Sequence, residues 1–201
     1  MMVSVLGWKV FNLEWMLVAL CVLFILMAFT LYFFRDPERQ LPRGEGFIVS
    51  PADGRIVRVA ELSSIPFFEG RAKLVTIYLS FWDVHINRVP ISGEVTSLNY
   101  QSGHFHPAYQ PQASERNEHA IIGIEGEIGR VFVKQIAGML ARRIVCRLKI
   151  GDRVRQGERY GMIKFGSRVE VYLPSSVVLR VSEGDQMRGG ESIIGVVHHE
   201  A

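Results

Sequence analysis

From Trp15 to Phe34 the chain reads WMLVALCVLFILMAFTLYFF, about 20 residues without a charge. At ~1.5 Å per helical residue this run crosses a hydrocarbon layer ~30 Å thick. A buried core helix shows polar positions at helical period, and none appears here. A cleaved signal peptide has a shorter apolar stretch and a small-residue cleavage site, whereas Tyr32-Phe33-Phe34 is bulky. The run therefore predicts a retained membrane helix at about 15–34. Lys9 and Glu14 precede it; Arg35, Arg39 and Arg43 follow. The positive-inside bias places the rest of the chain in the cytoplasm, at the cell membrane.

With 201 residues the chain has room for one domain with a real core besides this appendage. Cys21 lies inside the apolar run and Cys146 far from it, so no intrachain disulfide is expected. A net charge of +3 suits a surface resting on anionic lipid. Nucleic acid is not expected as a partner: no basic run exceeds Arg142-Arg143, and aromatic and basic residues do not interleave.

Pro37, Pro42, Gly44 and Gly46 mark 35–46 as a linker. From Phe47 onward, short stretches alternate apolar and polar residues, as in Gly54-Arg-Ile-Val-Arg-Val, Lys73-Leu-Val-Thr-Ile-Tyr-Leu, Gly129-Arg-Val-Phe-Val-Lys and Ser167-Arg-Val-Glu-Val-Tyr-Leu. That is the pattern of half-buried strands. The stretch Ile136 to Ile150 reads as either helix or strand. Gly151-Asp-Arg-Val-Arg-Gln-Gly-Glu158 recurs as Gly184-Asp-Gln-Met-Arg-Gly-Gly-Glu191. Such glycines supply turns between short strands. The expected fold is mainly β, a barrel-sandwich-like domain over 47–201 with Gly-rich hairpins, preceded by one transmembrane helix in segment 1–34.

Three stretches carry chemistry. The first is Phe34-Arg35-Asp36-Pro37-Glu38-Arg39, followed by Ser50-Pro51-Ala52-Asp53-Gly54. The second is Asp83-Val84-His85-Ile86-Asn87-Arg88-Val89-Pro90, and the third Lys164-Phe165-Gly166-Ser167-Arg168-Val169. Singly, each has an ordinary reading as a tight turn, a structural histidine or a loop. Together and in this order, with Arg116-Asn117-Glu118 between the last two, they resemble the phosphatidylserine decarboxylase family. The resemblance extends from about Phe34 to Val197 and is nearest to the short branch with a single membrane segment.

The resemblance implies a self-processing enzyme with a covalent pyruvoyl group and no metal. Ser167 would attack the Gly166 carbonyl to form a backbone ester. Elimination and loss of ammonia would then leave a pyruvoyl cap at 167, a β chain of residues 1–166 and an α chain from 167. The two chains would stay associated, in a dimer of protomers. The amine of phosphatidylserine would condense with the pyruvoyl carbonyl. That carbonyl acts as electron sink for decarboxylation to phosphatidylethanolamine. Asp53 matches the aspartate that assists cleavage, and His85 the histidine linked to decarboxylation, where near-neutral titration suits proton delivery. The longer relatives have a second histidine three residues on, where this chain has Arg88. Three arrangements stay open: Asp53 with water, His85 serving both steps, or a substitute group. Asp53 without a full triad is favoured.

Other clusters have competing readings. His104-Phe105-His106 could be a metal pair, yet its glycine and proline neighbours favour a loop on the substrate side; His198-His199 is terminal. Arg35, Arg39 and Arg43 set topology or hold anionic headgroups. The alternative function is a non-enzymatic, membrane-anchored barrel-sandwich adaptor of a transporter, which would need long helical hairpins.

Overall fold

A computed structural model describes residues 2–65, 68, 70–110, 112–139, 143–163 and 167–197, with side chains from 13 onward. Gly166, His198 and His199 lie outside the described residues. The chain divides into two compact units, Met1–Arg35 and Asp36–Ala201.

The first unit is one helix, α1 (Met2–Phe33). Its span Leu13–Phe33 contains an 18-residue stretch of mean hydropathy 2.7 and is long and apolar enough to cross a membrane. Regular helix begins well before the apolar run, since no proline interrupts residues 2–14. Thr30 Oγ1 donates to the Leu26 carbonyl, 2.8 Å, so this hydroxyl is satisfied within the helix. At the C-terminal end, Arg35 Nη1 donates to the Tyr32 carbonyl at 2.9 Å, and its guanidinium lies 3.9 Å from the Tyr32 ring centroid.

The second unit is mainly β. Its strands are β1 (Phe47–Val49), β2 (Gly54–Leu62), β3 (Ala72–Leu79), β4 (Ile86–Arg88), β5 (Gly93–Gln101), β6 (His119–Gly126) and β7 (Gly129–Ile136). They continue as β8 (Ile144–Cys146), β9 (Arg153–Val154), β10 (Arg159–Ile163), β11 (Ser167–Pro174), β12 (Val178–Leu179), β13 (Gln186–Met187) and β14 (Ile193–Val196), with a short helix α2 (Ala113–Arg116) after β5. In the ambiguous stretch, β7 ends at Ile136 and β8 pairs with β10 rather than with the strands around β7; no helix forms among its described residues.

An eight-stranded sheet runs β13-β2-β3-β11-β7-β6-β5-β9, with three-stranded sheets β1-β14-β12 and β4-β10-β8 beside it. Alternation sends Val169, Val171 and Leu173 of β11 into the main core with Val75, Ile77, Leu79, Val131 and Val133. Tyr172 joins Leu74 and Phe132 on the opposite face.

The repeated octapeptides form two equivalent clips. Gly151 N–H donates to Val95 O, and Val95 N–H to Asp152 O; likewise Gly184 N–H donates to Ile56 O, and Ile56 N–H to Asp185 O. The clips close opposite edges of the large sheet through β9–β5 and β13–β2. The order of strands is thus internally two-fold, β2-β3-β11 on one side mirrored by β5-β6-β7 on the other.

Candidate active site

The Ser50-Pro51-Ala52-Asp53-Gly54 stretch, the loop from Ser80 to His85, and Ser167 reach the same end of β2, β3 and β11. Ser50 Oγ donates to the Ala52 carbonyl at 2.7 Å, making Ser50-Pro51-Ala52 a self-bonded turn. The chain then enters β2 through Gly54, with φ of 141°. A Cβ there would sit 2.3 Å from the Tyr78 carbonyl oxygen, so only glycine lets the turn lie against the end of β3. Asp53 is thereby held at that end. Its Oδ1 accepts from Gly189 N–H at 2.8 Å and its Oδ2 from Arg39 Nη2 at 2.7 Å. Burial pushes the Asp53 carboxyl above the usual carboxylate range, while the Gly189 N–H and Arg39 oppose the rise and the charge of Asp83 adds to it.

Asp83 caps the loop after β3. Its Oδ2 accepts from Ser80 N–H at 2.8 Å and Ser80 Oγ at 2.7 Å. The Asp83 carbonyl lies 2.9 Å from His85 Nδ1. A carbonyl only accepts, so Nδ1 carries the proton, and in the neutral ring Nε2 holds the lone pair. His85 is fully buried. Its carbonyl accepts from Ile163 N–H at 3.3 Å, which ties it to the last residue of β10, the strand leading through 164–166 to Ser167.

Ser167 opens β11 and pairs with Leu79, the residue immediately before the Ser80–His85 loop. It is fully buried, and its Oγ has no hydrogen-bond partner among the described residues. Buried hydroxyls are normally bonded, so such a group has either strain or chemistry to explain it. Ser167, His85 and Asp53 are thus gathered at one end of the unit, although the bonds of Asp53 run to Arg39 and Gly189.

Arg88 faces elsewhere. Its guanidinium donates to Gly157 O (3.1 Å), Pro37 O (3.0 Å) and Asp36 Oδ1 (3.3 Å), while Arg159 binds Asp36 and Glu38. At the place where the resemblance would put a second histidine, Arg88 ties Asp36 and Pro37 to Gly157 within the second unit. Arg39, read from sequence as a topology or headgroup residue, is also internal: besides Asp53 it binds Glu191 Oε2 at 3.2 Å.

Sequence reasoning did not single out two further groups. Gln135 Nε2 donates to Asn87 Oδ1 at 2.8 Å, both residues fully buried. The signal was there: Gln135 falls in phase with Val131 and Val133 on the core face of β7. The second group lies on the other face of β11. Glu170 accepts from Ser114 Oγ and from Tyr172 O–H (2.7 Å), Arg168 Nη1 donates to Ser114 Oγ at 2.7 Å, and Lys134 Nζ donates to the Ser114 carbonyl. Burial lowers the Lys134 ammonium and raises the Tyr172 phenol from their ordinary values.

Asn117 pins the histidine pair: its side chain bonds His106 N and O, and the Ala137 carbonyl, each at 2.8 Å. The His104 and His106 rings lie 5.7 Å apart. Among the described residues no group of three or more His, Cys, Asp or Glu side chains is placed to hold a metal ion.

A family model described as phosphatidylserine decarboxylase matches residues 26–195. Relatives named phosphatidylserine decarboxylase proenzyme match along most of the chain. That of Symbiobacterium thermophilum is 48% identical over 171 residues, covering 85% of this chain and 80% of its own. That of Wolbachia pipientis wMel is 44% identical over 195 residues, covering 94% and 84%. That of Carboxydothermus hydrogenoformans is 44% identical over 175 residues, covering 87% and 82%. A buried serine, unbonded among the described residues, at the head of a central strand and in motifs of the expected order, thus occurs in a chain that belongs to the phosphatidylserine decarboxylase family.

Proposed function

We propose that this chain cleaves itself between Gly166 and Ser167 and then converts phosphatidylserine to phosphatidylethanolamine. The observation that carries the reading is the Ser167 hydroxyl, buried and without a partner among the described residues at the first position of β11. A serine held this way is shielded from bulk solvent, and no protein group among the described residues occupies its oxygen.

In the cleavage, Ser167 Oγ bonds to the Gly166 carbonyl carbon, and the Gly166–Ser167 amide breaks to an ester. Loss of the 167 α-proton expels the Gly166 carboxylate and leaves a dehydroalanine. Water then replaces its nitrogen, releasing ammonia and leaving a keto group. Asp53, with its carboxyl raised by burial, serves this phase as base or as the group that orients one. The pyruvoyl group so formed supplies a carbonyl that takes the lipid amine and accepts the electrons freed as CO₂ leaves. Asp53 and His85 shape its surroundings: His85, with Nδ1 fixed on the Asp83 carbonyl, presents Nε2 to return a proton to carbon.

The apolar helix supports membrane association, and the arginines after it support a cytoplasmic active unit at the cell membrane. The β unit of 47–201 is the catalytic domain, the cleaved chains remain together, and processed protomers pair as dimers. The adaptor reading loses its footing, because the described residues after α1 hold only the four-residue helix α2. Mass spectrometry of purified protein tests the proposal. Two chains are expected, the smaller lacking a free amino terminus; a single intact chain in active protein would overturn it.

A further inference from the structure

The Asn87–Gln135 pair leaves two polar groups stranded. Each amide has a donor and an acceptor side, and the 2.8 Å bond uses one of each. Asn87 Nδ2 and Gln135 Oε1 remain buried with no hydrogen-bond partner among the described residues. Reversing both amides would leave the same inventory, one NH₂ and one carbonyl oxygen. Burying such groups unmet opposes folding, so a ligand that meets them is the economical explanation.

Their position follows from the register. Gln135 pairs with Val169, and Ser167 lies two residues before Val169 on the same face of β11. Gln135 is therefore a diagonal cross-strand neighbour of Ser167, at a spacing that long side chains bridge. Asn87 follows His85 by two residues. The packing makes room for the pair: at Gly161 a Cβ would meet the Val145 carbonyl oxygen at 2.2 Å and Gln135 Nε2 at 3.2 Å.

We infer that Asn87 and Gln135 bind the α-amino-acid end of the lipid headgroup, Asn87 donating to the carboxylate and Gln135 accepting from the amine nitrogen. The inference rests on the proposed role of Ser167. One donor and one acceptor, both neutral, match an amino acid in an apolar interior. A cation at Asn87 would hold the carboxylate more strongly before reaction than as its charge departs, which would slow loss of CO₂. A neutral amide orients the carboxylate with less of that ground-state stabilisation.

The test uses full-length, self-cleaved protein in phosphatidylcholine vesicles carrying either phosphatidylserine or phosphatidylethanolamine. Reductive trapping of each lipid amine onto the protein by cyanoborohydride is measured by mass spectrometry. Phosphatidylethanolamine has the amine without the carboxylate. Asn87→Asp, which keeps the acceptor for Gln135, and Asn87→Leu should each lower trapping of phosphatidylserine about ten- to a hundredfold. Trapping of phosphatidylethanolamine should stay within about twofold of the parent, since it lacks the carboxylate contact. Equal loss for both lipids, or no change for either, overturns the inference. So does failure of both variants to self-cleave, which would assign the pair to processing. Failure of the parent protein to cleave or trap either lipid would instead reject the role of Ser167.

Discussion

Arg39 Nη2 lies 2.7 Å from Asp53 Oδ2, and both side chains are nearly buried. Burial raises the Asp53 carboxyl while Arg39 pulls it down. Removing the guanidinium in Arg39→Met should raise it further. A carboxyl raised in the folded state contributes stability that is present below its unfolded value and lost as pH rises through the folded value. The variant should therefore lose more stability at neutral pH than in acid, as urea unfolding will read. If Asp53 serves as base, the acid limb of the self-cleavage rate should also move to higher pH.

His85 has its Nδ1 engaged by a main-chain carbonyl, so its chemistry resides at Nε2. His85→Ala should still yield two chains on a gel, while CO₂ release from phosphatidylserine falls by about 10²- to 10⁴-fold. Loss of cleavage together with decarboxylation would mean that the ring serves both steps.

Arg88 makes three bonds that a histidine could not reproduce, two of them to main-chain carbonyls. Arg88→Ala should cost about 2–3 kcal/mol, the scale of charge-assisted bonds lost from a buried site. Arg88→Lys should recover only part of it, since one ammonium cannot span the fork. Thermal melts of the detergent-solubilised chain provide the measurement, and self-cleavage should persist in both variants.

Glu170 balances the buried cations Lys134 and Arg168. Glu170→Ala leaves Arg168 uncompensated and Lys134 with Glu115 alone, and should destabilise the protein by about 3–5 kcal/mol. The double variant Glu170→Ala with Lys134→Met should recover part of that loss, since it removes one of the two buried cations. Denaturant midpoints of the four corners of the cycle decide it.

The longer strands were readable because their apolar residues alternate: β2, β3, β7 and β11 each show the period that puts one face in the core. Strands of two or three residues, such as β4, β9 and β13, are too short to carry a period and exist by pairing with distant partners. The octapeptide repeat announced turns, but its pairing of opposite sheet edges depends on contacts with Ile56 and Val95 far away in the chain. At the site, Ser167, His85 and Asp53 were visible as ordered motifs. The partners of Asp53 were not, because Arg39 and Gly189 lie on opposite sides of it in sequence. Arg88 was noticed only as a departure; its bonds to Asp36 and Pro37 gave that departure a mechanical purpose.

Strand β11 lies inside the large sheet, flanked by β3 and β7, while β14 lies between β1 and β12. A cut before Ser167 therefore releases a 167–201 fragment that is woven through two sheets and supplies Val169, Val171, Leu173 and Ile194 to the common core. Neither fragment retains a closed core without the other. The processed molecule would behave as an inseparable heterodimer, with no exchange of fragments between copies on dilution. Activation would be a change in covalent connectivity that leaves the architecture silent.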